Sequence, residues 1–125
     1  MPNLPDDYRQ QTGGFKRLIF AGKNSWNGFL SAWREDVAVR QEVLLLLIAI
    51  PAAFWLTGDK IERVLLVSSV VIVLIVELLN TAVEAVVDRI GTEHHELSGK
   101  AKDVGSTAVF VSLVLAVFVW LIILI

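Results

Sequence analysis

From Val64 to Val76 the chain carries thirteen residues in which nothing is more polar than two serines. A sequence of this kind predicts a buried or membrane-crossing helix. The run then continues as "ELLNTAVEAVVD", Glu77 to Asp88, and becomes polar at intervals. At about 100° per residue, with Glu77 at 0°, Asn80 and Glu84 fall about 60° and 20° to one side, and Asp88 and Thr81 about 20° and 40° to the other. The polar groups therefore share one stripe, and Leu78, Leu79, Ala82, Val83, Val86 and Val87 cover most of the rest. Acids scattered round a helix would mark its exit from the membrane. A stripe marks a helix that presents carboxylates to something.

Two further segments are long and apolar enough to cross a bilayer, for which about 20 residues are needed. Val104 to Ile125 holds 22 residues without a charge. "VLLLLIAIPAAFWL", Val43 to Leu56, is shorter, so its span must begin among Val37 to Glu42, and Pro51 within it predicts a kink. The expected fold is an all-α membrane protein: residues 1–12 frayed, an amphipathic interfacial helix over 13–35, and a three-span domain over 36–125. The spans fall at about 36–57, 63–88 and 103–125. "TGDKIER" is a short connection and makes the first two spans antiparallel neighbours. The connection from Asp88 to Asp103 reads as a longer polar loop.

Ahead of the spans, Phe15, Leu18, Ile19, Trp26, Phe29, Leu30 and Trp33 recur at helical spacing, with Lys16, Arg17, Lys23, Asn27 and Arg34 on other faces. Tryptophans and basic residues on such a helix suit the membrane interface, and little soluble chain exists for it to pack on. Gly22, Gly28 and "KNSWNG" are candidate breaks that would divide it in two.

Composition narrows the chemistry. The chain has 125 residues, 55% of them hydrophobic, and no cysteine, which excludes disulfides, thiolate catalysis and thiolate zinc sites. There is no basic block to suggest nucleic acid, and the polar opening "MPNLPDDYRQQTGG" lacks the apolar core of a signal peptide. Of eleven Lys and Arg, six lie in the N-terminal region up to Arg40, three lie between Arg89 and Lys102, and only Lys60 and Arg63 occupy the intervening turn. That asymmetry places the N-terminus and the 88–103 loop in the cytoplasm and the C-terminus outside.

With the second span leaving the hydrocarbon near Val83, Glu77 lies roughly 9 Å inside the cytoplasmic boundary, Glu84 at it and Asp88 just beyond. Lys102, Asp103 and Ser106 reach the same level from the third span, and Asp36, Arg40, Gln41 and Glu42 from the first. An ionisable group at membrane depth points to function by default. The alternative is a neutral or ion-paired Glu77 that only fixes helix packing. A carboxylate at lipid depth suits a general base, two at the wet boundary suit a hard divalent cation, and Lys102 and Arg17 suit phosphate oxygens. This layout fits transfer between a water-soluble phosphate donor and a lipid hydroxyl. No P-loop or protein-kinase signature is present. A small ion-coupled transporter is the rival of a different class, opposed by the gathering of acids at one interface rather than the midplane.

The segment "RVLLVSSVVIVLIVELLNTAVEAVVDRIGTEHHELSGKAKDVGSTAV", Arg63 to Val109, closely resembles the bacterial integral-membrane diacylglycerol kinases, and "GFKRL", "SWNG" and "AWREDVAVRQE" match the same family. The resemblance runs from about Gly14 to the C-terminus. It implies a kinase of the inner membrane that uses ATP and magnesium to convert diacylglycerol into phosphatidic acid, as a homotrimer with sites shared between subunits. It implies Glu77 as the catalytic base, and Glu84 and Asp36 as metal ligands. Arg17, Asn24, Glu93, His94, His95, Lys102 and Asp103 then fall at nucleotide-contacting positions. Ser25, Trp26, Arg40, Gln41, Glu42 and Ser106 fall on the lipid-substrate side, with Asn80 and Asp88 as supporting polar groups. The family pattern has glutamate where Asp36 stands and often tyrosine where Asn24 stands, which bears on metal geometry and adenosine contacts. Relatives acting on undecaprenol make that lipid the alternative acceptor. A metal site at the adjacent His94 and His95 is disfavoured, because neighbouring residues point to different faces and no second histidine cluster exists.

Overall fold

The computed structural model describes residues 14–125 and contains four helices: α1 (Gly14–Glu35), α2 (Val37–Leu56), α3 (Lys60–Ile90) and α4 (Glu96–Leu124). The frayed segment expected over residues 1–12 lies outside the described residues. The chain forms two units, one ending at Glu35 and the other running from Asp36 to Ile125.

In the first unit α1 is one unbroken helix through Gly22 and Gly28, not two pieces. A single glycine weakens a helix interior by only about 1 kcal/mol relative to alanine, and hydroxyl groups such as that of Ser25, which donates to the Ala21 carbonyl at 2.7 Å, are absorbed within the helix. Trp26, Phe29 and Trp33 form a ladder of rings with centroids 6.1 Å apart. Phe15, Leu18, Ile19 and Trp26 are all exposed in the protomer, as an interfacial helix requires.

In the second unit α3 is the central element, packed on α2 and more extensively on α4. Its core is thin: Val39, Ala49 and Ala53 from α2, and Leu66, Val70, Val73 and Val87 from α3. α4 buries only Ser112 and leaves most of its large apolar residues outward. α2, α3 and α4 are each long and apolar enough to cross a membrane. Pro51 lies within an uninterrupted α2. α3, with 31 residues, and α4, with 29, outrun a hydrocarbon core of about 30 Å at 1.5 Å per residue. The surplus turns of both lie at the end where α3 passes into α4. The expected long polar loop is accordingly short. Helix continues to Ile90 and resumes at Glu96, because His95 caps the start of α4 by accepting the Leu97 N–H on Nδ1 at 3.0 Å.

The opposite end is closed by local polar bonds. Asp59 caps α3 by accepting the N–H groups of Ile61 and Glu62. Arg63 donates to the carbonyls of Thr57 and Phe54 at the C-terminus of α2, at 2.8 and 3.0 Å, and covers the Phe54 ring at 4.7 Å. A cation on carbonyls at a helix C-terminus is favoured by the helix dipole. Between the two ends, Trp120 Nε1 of α4 donates to the Leu66 carbonyl and the Ser69 hydroxyl of α3.

Candidate functional site

The polar stripe of α3 meets the first turn of α2. Asp36 is the extended residue that precedes α2, and its side chain is the helix cap: Oδ1 accepts the Ala38 N–H at 2.9 Å. Its Oδ2 accepts the Thr81 hydroxyl of α3 at 2.6 Å. The Glu77 carboxyl lies within electrostatic reach of Asp36. Glu77 is 5% exposed and Glu42, one turn into α2, is 8% exposed and close enough to Glu77 to interact with it electrostatically. Asn80, also 8% exposed, donates from Nδ2 to Glu84 Oε1 at 3.2 Å. Asp36, Glu42, Glu77, Asn80, Thr81 and Glu84 thus form one cluster, half of it withdrawn from solvent.

The interior of one protomer covers Glu77 and Asn80. The start of α2 lies against α3 there, joined by the bond from Thr81 to Asp36. Glu42, which the resemblance puts on the lipid-substrate side, is buried in the protomer.

A second cluster surrounds a cavity of 240 Å³ at the α3–α4 junction, lined among others by Asp88, Glu93, His94, His95 and Lys102. Lys102 Nζ pairs with Asp88 Oδ1 at 2.8 Å across the junction, both side chains being largely solvated. An exposed pair of this kind is weak because solvent and salt screen it. Gln41, Asp103 and Ser106 are exposed and belong to neither cluster, and Arg40 is half-buried. Arg17, Asn24, Ser25 and Trp26 are exposed positions of α1 in the other unit.

Among the described residues no three His, Asp or Glu side chains converge as a metal site. The two carboxylates singled out, Asp36 and Glu84, nonetheless suit magnesium. Both are hard oxygen donors, and each Asp36 oxygen retains a lone pair after its hydrogen bond. Magnesium is ordinarily held by one or two carboxylates, waters and substrate phosphates rather than by an all-protein cage.

Thr81 is the residue that sequence reasoning passed over. It lay within the polar stripe, but its partner Asp36 is 45 positions away in the chain, so only the folded structure joins them.

Three apolar helices long enough to cross a membrane, with a carboxylate cluster partly enclosed on the longest of them, define a small polytopic helical membrane protein. The family model described as "Prokaryotic diacylglycerol kinase" matches residues 23–124. The diacylglycerol kinase of Escherichia coli K12 is 55% identical over 113 residues, covering 90% of this chain and 93% of the relative. That of Haemophilus influenzae is 51% identical over 88% of this chain and 93% of its own, and that of Pseudomonas aeruginosa 47% identical over 93% and 94%. The chain belongs to the prokaryotic diacylglycerol kinase family, and is an enzyme of the kinase class.

Proposed function

We propose that the chain transfers the γ-phosphoryl group of ATP to the free hydroxyl of diacylglycerol, giving phosphatidic acid, at the cytoplasmic face of a bacterial inner membrane. The observation that carries this reading is the enclosed Glu77, within electrostatic reach of Asp36, Glu42 and Glu84, in a chain half identical to proteins named diacylglycerol kinase.

In the step, the lipid hydroxyl oxygen attacks the γ-phosphorus as its proton passes to Glu77. The bond from the γ-phosphorus to the bridging oxygen breaks, and ADP leaves with that oxygen. Glu77 suits the role because its place on α3, about two turns deeper than Glu84, puts it on the lipid side of the site, where a diacylglycerol hydroxyl would enter. Positioning and electrostatics supply most of the catalysis in such transfers. Glu84, anchored by Asn80, and Asp36, anchored by Thr81, would hold magnesium, which when bound neutralises charge on the phosphates. Lys102 and Asp103, with Glu93, His94 and His95 around the junction cavity, take the nucleotide together with Arg17 and Asn24 of α1. Ser106, Arg40, Gln41, Ser25 and Trp26 take the lipid. The functional form is a homotrimer with shared sites. The excess of Lys and Arg on the N-terminal and 88–103 segments supports a cytoplasmic N-terminus and an external C-terminus.

Transfer of ³²P from γ-labelled ATP, in detergent with diacylglycerol or undecaprenol as acceptor, tests the reading. Labelled phosphatidic acid is expected, with undecaprenol a poor acceptor. A preference for undecaprenol would reassign the acceptor, and transfer to neither lipid would contradict the proposal.

A further inference from the structure

α3 and α4 come close at Asn80 and Gly105. Among the described glycines, Gly105 is the one at which an added Cβ would collide: it would overlap the Asn80 side-chain oxygen and lie 3.2 Å from Asn80 Cγ. At Gly14, Gly22, Gly28, Gly58 and Gly99 a Cβ would meet nothing within 4 Å. Gly105 sits in a helix interior with no positive φ, where alanine is the better helix former. Backbone conformation therefore gives no reason for glycine here, and the space occupied by Asn80 does.

The amide of Asn80 is held in one sense. Nδ2 donates to Glu84 Oε1 at 3.2 Å, and with that end committed Oδ1 must point away, towards α4. There it is buried and finds no hydrogen-bond partner. An unpartnered buried carbonyl is unfavourable and would turn elsewhere if it had only itself to satisfy. It stays because turning would break the bond to Glu84. The hollow left by the missing side chain at Gly105 is what lets it stay.

We infer that Gly105 is a positioning residue of the active site, keeping the α3–α4 gap just wide enough for Asn80 to hold Glu84 in place. The inference rests on the reading that Asn80 and Glu84 belong to that site. A methyl group at position 105 drives the Asn80 amide out of its rotamer and frees the Glu84 carboxylate, without itself touching substrate. Gly105 and Asn80 then act in series, so their effects on catalysis do not add.

The test is a double-mutant cycle of Gly105→Ala and Asn80→Ala on the full chain in detergent, with Gly58→Ala as a control. We expect Gly105→Ala and Asn80→Ala each to lower kcat by tenfold or more. The double variant should be no worse than Asn80→Ala alone, because shortening residue 80 clears the space that the methyl group needs. KM for diacylglycerol should stay within about twofold in all three, since the group set free, Glu84, is placed on the metal rather than on the lipid. Thermal midpoint and elution volume follow folding in parallel. If Gly105→Ala misfolds through the clash, Asn80→Ala in the same chain should restore folding. Losses that multiply in the double variant, or a fully active Gly105→Ala beside an impaired Asn80→Ala, would overturn the inference and leave the site reading intact. A fully active Asn80→Ala would overturn both.

Discussion

Asp36 concentrates what the sequence could and could not disclose. One methylene shorter than the family's glutamate, it left open how its carboxylate would reach a metal. The structure gives the shorter side chain a second task. Aspartate is among the preferred N-cap residues, and Asp36 caps α2 with one oxygen while Thr81 holds the other. Neither bond is legible from spacing, because a cap depends on where the helix breaks and the Thr81 contact joins distant parts of the chain. Asp36→Ala is therefore expected to lower stability by about 1 kcal/mol and to raise the magnesium requirement sharply, while Glu35→Ala leaves it unchanged. Asp36→Glu should remain active with a weaker start to α2. A magnesium titration alongside thermal denaturation reads both effects, and damage from Glu35→Ala alone would reverse the assignment. Thr81→Val should impair transfer, with Thr81→Ser restoring it, because only the hydroxyl reaches Asp36. Equal activity of the two variants would make the contact incidental.

At the scale of helices, periodicity identified every element, and its errors came from competing short-range forces. Glycines in the N-terminal helix were read as breaks, but each costs too little to interrupt a helix with strong neighbours. The polar stretch after Asp88 was read as loop, although polar residues form helix readily once a cap such as His95 starts it. The carboxylate stripe was legible because helical geometry alone places Glu77, Asn80 and Glu84 together. The bond from Trp120 to α3 was not, since tryptophan in an apolar run looks like any other large apolar residue. Trp120→Phe should lower the thermal stability of the α3–α4 pair by about 1 kcal/mol with phosphoryl transfer intact. A loss of activity without a loss of stability would give Trp120 a different role. Deleting residues 1–12, a polar segment, should change little, whereas deletion through Trp26 should abolish transfer. Normal turnover by the longer truncation would reduce α1 to an anchor.

For the whole molecule, the apolar surface left by a single protomer sets the expectation. Large residues along α4, among them Phe110, Phe118 and Ile122, are outward and suit lipid. Ala82, Ala85 and Ala108 are outward too, and small residues favour close helix–helix approach. Glu77 is buried within one protomer, so the case for an oligomer rests on these small-residue faces and on the wet end of the site at Glu84. Crosslinking in mild detergent is expected to give a trimer that carries all the activity, and an active monomer would contradict this.

The central claim is that Glu77 accepts the proton of the lipid hydroxyl. Glu77→Gln keeps the shape and hydrogen-bonding reach of the side chain and removes its capacity as a base. The decisive measurement is ³²P transfer to diacylglycerol by this variant, with helix content and elution volume matched to the unsubstituted protein. The account predicts a folded protein whose transfer is reduced at least a thousandfold, roughly the loss expected on removing a general base. Full transfer by a folded Glu77→Gln protein would contradict it.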